Sequence, residues 1–346
     1  MSQVRDPLAG KLPVTLITGF LGSGKTTLIS RLVRHPDMNR VAVVINEIGE
    51  IGIDHDLVTM SSENVTLLAN GCICCSVRTD LQETLRELFN QRRAGQIADF
   101  DRVIVETTGM ADPAPVVQTM VSDTLLEAQF RLDGVVTLID AVNGAHTLLH
   151  QPEAEKQVAL ADRVIITKSD LASAEQVAAI KAAVHAINRL ADTRIAVQGE
   201  IDPAELIGLG LGSARAGAST LRFLGETLDA APGEGDRYLG ARTSRHTVDT
   251  LSLRFDTPFT WDAFSAAMQL LTNLRGPDML RVKGIVNVEG KPVVVQGVQH
   301  IFHPPVTLDR WPTDDVGTRL VFITRGISAA AIKGLFQAVG AVASSK

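Results

Sequence analysis

The chain is 346 residues long, 45% hydrophobic and 21% charged, with a formal net charge of −6. That length holds two domains with a sizeable core each, and the acidic balance gives no electrostatic case for nucleic acid or an anionic membrane as partner. The longest apolar stretches, such as Val135–Leu138, fall far short of the ~20 residues that cross a bilayer. The segment Met1–Lys11 lacks the apolar region and cleavage site of a secretory leader. The chain's three cysteines cannot all pair, so reduced thiols and a cytoplasmic setting are expected.

Short Val- and Ile-rich runs alternate with helical patterns through the first two hundred residues, as in a parallel α/β sheet buried on both faces. The first expected strand, Val14–Thr18, runs into Gly19-Phe20-Leu21-Gly22-Ser23-Gly24-Lys25-Thr26-Thr27. A glycine loop between strand and helix is the setting of a P-loop. Backbone N–H groups over Gly22, Ser23, Gly24 and Thr27 would face phosphate oxygens, Lys25 would reach the β- and γ-phosphates, and Thr26 would ligate Mg²⁺.

A second strand, Val41–Ile45, precedes an acidic segment, Asn46–Asp56, that contains Glu47, Glu50, Asp54 and His55. After a third, Val65–Leu68, the whole cysteine supply falls within four residues, Cys72, Cys74 and Cys75, behind a turn-forming Asn70-Gly71. Thiolates are soft ligands suited to Zn²⁺ and related ions. Three of them leave a tetrahedral ion one ligand short, which reads as an open, exchangeable site. Water, a client residue, Glu47 and, as a weaker choice, His55 are candidates for the fourth position. Burial as small hydrophobes is the bland alternative for the cysteines, and a redox pair would leave one thiol over.

Leu81, Leu85 and Leu88 mark a helix, and Val103–Glu106 the next strand. Glu106 at its end is the expected second Mg²⁺ partner, a glutamate where aspartate is more usual, with Gly109 behind it to meet the γ-phosphate. Lys25, Glu106 and Glu47 form the expected catalytic set, while Glu47, Glu50 and Asp54 all remain candidates to position the attacking water. Strands follow at Val135–Ile139 and Val164–Thr167, the latter leading into Thr167-Lys168-Ser169-Asp170. That tetrapeptide is either a helix-capping turn or a base reader. In the second case Asp170 accepts from guanine N1–H and the exocyclic amine, and Lys168 packs along the base. A helix over Ala174–Arg189 and a strand over Arg194–Val197 complete the α/β part.

Gly- and Ala-rich stretches at Gly208–Thr220 and Ala230–Arg245 bracket a linker. Beyond it, alternation at Leu251, Leu253 and Phe255 predicts a half-buried strand, and Thr260 caps a helix over Trp261–Leu274. Leu280–Val288 and Val293–Val298 read as a hairpin turning through Glu289–Pro292, followed by a strand at Arg319–Thr324 and a helix at Ser328–Ala341. The expected architecture is therefore an α/β P-loop NTPase domain with a mainly parallel sheet (1–225), a linker (226–245) and a smaller α+β domain (246–346).

Taken together, the chain resembles the CobW-type metallochaperone GTPases, relatives of the HypB and UreG nickel chaperones. The resemblance is carried by Thr18–Leu28, Asn46–Val58, Asn70–Arg78, Val105–Pro113 and Thr167–Asp170. In the second part it is carried by Leu280–Val286, Val294–His300, Trp311-Pro312 and Arg319–Ile327. The resemblance implies slow, Mg²⁺-dependent GTP hydrolysis coupled to delivery of zinc, cobalt or another transition metal to a client protein. It assigns phosphates to Gly22–Thr27, Mg²⁺ to Thr26 and Glu106, guanine to Lys168 and Asp170, and metal to Cys72, Cys74 and Cys75. It also accounts for a glutamate at position 106. The histidine-rich stretch of many members is missing, since no histidine lies between His185 and His246. Two other readings remain: an ATP-dependent small-molecule kinase with structural cysteines, and a non-catalytic metal-binding regulatory module. Whether the chain forms a homodimer is open.

Overall fold

The computed structural model describes residues 10–38, 40–45, 58–60, 65–68, 73–76, 81–209, 248–299 and 301–343. Backbone alone is described for 58–60, 65–68, 73–76, 121–122, 301 and 341–343. The chain divides into two compact units, one of residues 1–185 and 191–216, the other of 186–190 and 217–346. The linker expected at 226–245 lies outside the described residues.

The first unit is built on a nine-stranded sheet: β1 (Leu12–Gly19), β2 (Val41–Ile45), β3 (Val58–Met60), β4 (Val65–Leu68), β5 (Ile73–Ser76), β6 (Arg102–Glu106), β7 (Phe130–Asp140), β8 (Arg163–Thr167) and β9 (Asp192–Ala196). Their order is β3-β4-β5-β2-β6-β1-β7-β8-β9. From β5 to β9 every pairing is parallel, and β3 and β4 add antiparallel strands at one edge. The interior strands are continuous apolar runs because both faces are covered. Ile17, Val43, Ile104, Val136 and Ile165 pack with Leu28, Ile29 and Leu32 of helix α1 (Lys25–Leu32). The remaining helices are α2 (Leu81–Arg93), α3 (Pro113–Ser122), α4 (Thr124–Gln129), α5 (Gly144–His150), α6 (Pro152–Leu160) and α7 (Ala174–Ile187).

The sheet departs from the sequence reading in several places, among them the additional edge strand β3. The cysteine segment, for which the sequence reading names no strand, is extended over Ile73–Ser76 as β5. β7 begins five positions before the expected Val135, because the buried carboxylate of Asp133 is neutralised rather than excluded. It meets Arg102 in an ion pair, lies 3.6 Å from Arg131, and accepts from Gly208 N at 2.7 Å.

The second unit pairs β10 (Asp249–Phe255), β11 (Met279–Val288), β12 (Lys291–Val298), β13 (Ile301–Phe302), β14 (Val306–Thr307) and β15 (Thr318–Thr324) in an antiparallel sheet. Helices α8 (Trp261–Arg275) and α9 (Ala329–Ala343) supply Phe264, Met268, Leu271, Ile332 and Phe336 to a core with Leu253, Val282, Leu320 and Phe322. Thr260 caps α8 as expected, accepting from Ala263 N at 3.2 Å. The hairpin loop is shorter than expected. Glu289 (φ 53°) and Gly290 (φ 88°) alone make the turn, as in a two-residue primed turn, and Pro292 is already paired with Asn287.

Candidate functional site

Gly24 closes the glycine loop at φ 93°, a left-handed conformation that a side chain disfavours, and α1 starts directly after it. The Lys25 side chain is turned back into the loop and buried, with Nζ donating to Gly19 O at 3.0 Å and Phe20 O at 3.4 Å. Loop carbonyls thus hold the ammonium where phosphate oxygens could replace them. Ser23 is buried, Thr26 is half-buried, and Gly22 and Thr27 are exposed.

Across the sheet, β1 and β6 run side by side with Ile17 level with Glu106. The Thr26 hydroxyl, on the first turn of α1, donates to Glu106 Oε1 at 3.4 Å, and Glu106 is 1% exposed. The two residues expected to meet at Mg²⁺ are brought together, and their hard oxygens suit that ion. Behind Glu106, Thr107 N donates to Ile17 O at 3.0 Å and the Thr107 hydroxyl to Thr18 Oγ1 at 2.8 Å. Gly109 packs so close to the phosphate loop that a Cβ there would stand 2.5 Å from Leu21 Cδ2 and 2.8 Å from Leu21 N. A glycine is required by that approach.

The Thr167–Asp170 loop follows β8. The Thr167 hydroxyl donates to Ser23 O at 2.7 Å, which ties this loop to the phosphate loop. Lys168 sits at φ 54°, with its ammonium 2.7 Å from Asp140 Oδ2. Asp140 also accepts from Val142 N at 2.7 Å and from Asn143. Burial by itself would raise the Asp140 carboxyl, but Lys168 and these N–H donors outweigh it and hold the group below the usual carboxylate range. The Asp170 side chain is exposed. A cleft of about 150 Å³ opens beside these loops, lined by Phe20–Ser23, Asp140, Asn143, Gln157 and Lys168 among others.

The metal-ligating candidates Glu47, His55 and Cys72, and with them Glu50 and Asp54 as candidates to position the attacking water, lie outside the described residues. Cys74 and Cys75 are on β5, paired in parallel with Val43 and Val44 and antiparallel with Thr66 and Val65. Among the described residues no group of three or more His, Cys, Asp or Glu side chains forms a metal site. The sequence reading passed over Asp140, although a carboxylate at the end of a Val- and Ile-rich strand was a visible signal. It also passed over Gln157, for which no local signal existed.

The profile of the CobW/HypB/UreG nucleotide-binding domain matches residues 13–194, and that of the cobalamin synthesis protein cobW C-terminal domain matches residues 248–340. The zinc chaperone YjiA of Escherichia coli K12 is 31% identical over 315 residues, spanning 90% of this chain and 93% of its own length. The zinc chaperone CobW of Pseudomonas aeruginosa PAO1 is 33% identical over 369 aligned positions, spanning 93% and 90% respectively. A zinc(II)-bound structure of YjiA GTPase, a triple variant with one glutamate and two cysteines changed to alanine, superposes with a TM-score of 0.74 at 29% identity. The match covers 95% of this chain and 99% of that one. No described helix is long and apolar enough to cross a membrane.

Proposed function

Because this chain belongs to the CobW/HypB/UreG family and is a GTPase, we propose that it uses GTP to control the binding and release of a transition metal. Zinc is the first candidate and cobalt the second, held at Cys72, Cys74 and Cys75 and handed to a metal-requiring client protein. A reducing compartment such as the cytoplasm keeps such thiols available.

The observation that supports this reading is the sheet register. Ser76, Ile45, Glu106 and Ile17 are consecutive partners across β5, β2, β6 and β1. Cys75 therefore lies one residue along the strand from the level of Glu106, two strands away. At the usual strand spacing that is about 10 Å of backbone separation. A shift at the phosphate end of β6 would reach β5 through a single intervening strand. The acidic segment that follows β2, with Glu47 as the proposed fourth ligand, leaves from the same end of the sheet.

In the nucleotide half of the proposal, Lys25 exchanges its loop carbonyls for β- and γ-phosphate oxygens, and Lys168 and Asp170 read guanine. Thr26 and Glu106 would hold Mg²⁺, which when bound neutralises charge between the β- and γ-phosphates. Glu47 is proposed with Lys25 and Glu106 in the hydrolytic set.

Zinc titration with a non-hydrolysable GTP analogue and Mg²⁺, with GDP, and without nucleotide tests the coupling. The expected result is zinc binding about tenfold tighter with the analogue, within the ordinary range of coupling between two sites. Since the YjiA triple variant is itself zinc-bound, total zinc content is a poor readout here. A Cys72→Ser, Cys74→Ser, Cys75→Ser variant should instead lose the nucleotide dependence. Equal zinc affinity in all three states would sink the proposal.

A further inference from the structure

We infer that Gln157 is a positioning residue for GTP hydrolysis, which with Lys156 latches the loop after Glu106 against the phosphate loop. The inference rests on the reading of the Thr107–Asp112 loop as the segment that meets the γ-phosphate. Gln157 lies on α6 and is fully buried. Its amide nitrogen has two hydrogens, and both are used on this loop: Nε2 donates to Gly109 O at 3.1 Å and to Ala111 O at 3.0 Å. The reversed amide would set its oxygen against two carbonyls, so one orientation is dictated. Burying an amide is costly, and here only its donors are paired, since Gln157 Oε1 has no hydrogen-bond partner among the described residues. An apolar side chain would serve the packing of α6, whereas the two donors serve the loop alone.

Lys156 adds a second hold by its ion pair with Asp112. The other Asp112 oxygen accepts from Ala114 N at 3.0 Å and caps α3. Adjacent residues of α6 thus grip the loop at its middle and at its exit. The helix is itself pinned to the sheet, since the Thr137 hydroxyl donates to Gln157 O at 2.8 Å.

The consequence is set by Gly109. Its carbonyl is held by Gln157 while its Cα abuts Leu21. The Thr108–Gly109 peptide, which carries the N–H assigned to the γ-phosphate, has its carbonyl paired with Ala111 N at 3.1 Å, so it is ordered together with the carbonyls of Gly109 and Ala111 that Gln157 holds. Pre-ordering donors at the reacting group speeds the chemical step rather than adding general affinity. GDP, which lacks the γ-phosphate, draws nothing from the latch.

The test uses the full-length protein with Gln157→Leu, Gln157→Glu and Lys156→Met, measuring kcat, KM and the affinities for GDP and a non-hydrolysable GTP analogue. Gln157→Leu is expected to lower kcat about tenfold and to erode the preference for the analogue over GDP by a similar factor, as loss of two hydrogen bonds implies. GDP affinity should stay within about twofold of wild type. Gln157→Glu, which opposes a carboxylate to two carbonyls, should be worse, and Lys156→Met milder in the same direction. Lys156→Met keeps the inference testable if the buried variants do not fold. Wild-type turnover and discrimination in Gln157→Leu and Lys156→Met would overturn the latch, and so would an equal loss of GDP and analogue affinity, the mark of a merely structural role. A wild-type protein that does not distinguish the analogue from GDP would sink the reading of the loop together with the latch.

Discussion

In the proposed reading, base choice falls on one side chain, that of Asp170. Its carboxylate is exposed in a 3-10 turn over Ser169–Leu171, directly after Lys168, whose ammonium is fixed on Asp140. A carboxylate can accept from both guanine N1–H and the exocyclic amine. Asparagine at 170 would offer one acceptor and one donor, a match for xanthine with its oxygen at C2. Asp170→Asn is expected to weaken GTP on the order of 100-fold, the cost of two hydrogen bonds to a charged group, and to favour xanthosine triphosphate. Competition between the two nucleotides measures this, and unchanged GTP affinity would remove Asp170 from base reading. The neighbouring Thr167 shows where a motif stops being informative. In sequence, threonine in the usual asparagine position weakens the match to a guanine reader. In the folded chain its hydroxyl reaches Ser23 O, 144 residues away, and joins the two loops. Chain spacing carries no trace of that contact.

Elements were legible where local chemistry decided them. β2 and β4 fall on their expected residues, β2 because a Val-rich run between Arg40 and Asn46 has one plausible state in a doubly covered sheet. α8 was marked by its Thr260 cap. Short helices were missed. α3 and α6 open on Pro113 and Pro152 and run only 10 and 9 residues, too few turns to display a period. β5 has a different reason for being illegible: its four residues carry no alternation or length that marks a strand, and only pairing with β2 and β4 makes that stretch one. Asp123 ties one of these unpredicted helices, α4, to the predicted α2. It caps α4 by accepting from Leu125 N and Leu126 N, both at 2.9 Å, and it also accepts from Gln82 and Arg86 of α2. The Leu126 N–H, opposed by burial and aided by Gln82 and Arg86, holds its carboxyl down to about 2. The folded-state value lies below that of an unfolded aspartate, about 3.9. Its stabilising effect is therefore complete above the unfolded value and is lost as pH falls toward the folded one. Asp123→Asn should lower Tm at neutral pH, and the gap from wild type should close between about pH 4 and about pH 2. A gap that persists at the acid end would show that charge is not what Asp123 contributes.

At the scale of the whole molecule, the first unit sets the phosphate loop and two of the proposed metal-ligating cysteines on one sheet. The phosphate loop leaves β1, Glu106 ends β6, and Cys74 and Cys75 lie on β5, with β2 between. Parallel strands make this arrangement effective: every strand from β5 to β9 presents its C-terminal end on the same side, where ligands of open α/β sheets bind. If nucleotide and zinc are coupled through that edge, the coupling is a free energy shared by both sites, and it must be the same read from either side. Titrating the GTP analogue with and without zinc should therefore give the same factor, about tenfold, as titrating zinc with and without the analogue. Asp170→Asn should lower nucleotide affinity in both arms and leave that factor intact, because base reading lies at β8, on the far side of β1 from the cysteine strand. Replacing the three cysteines should reduce the factor to one while leaving nucleotide affinity without zinc unchanged. A factor that stays above one after the cysteines are replaced would mean that zinc acts at some other place on the molecule, and the sheet edge would no longer explain the linkage.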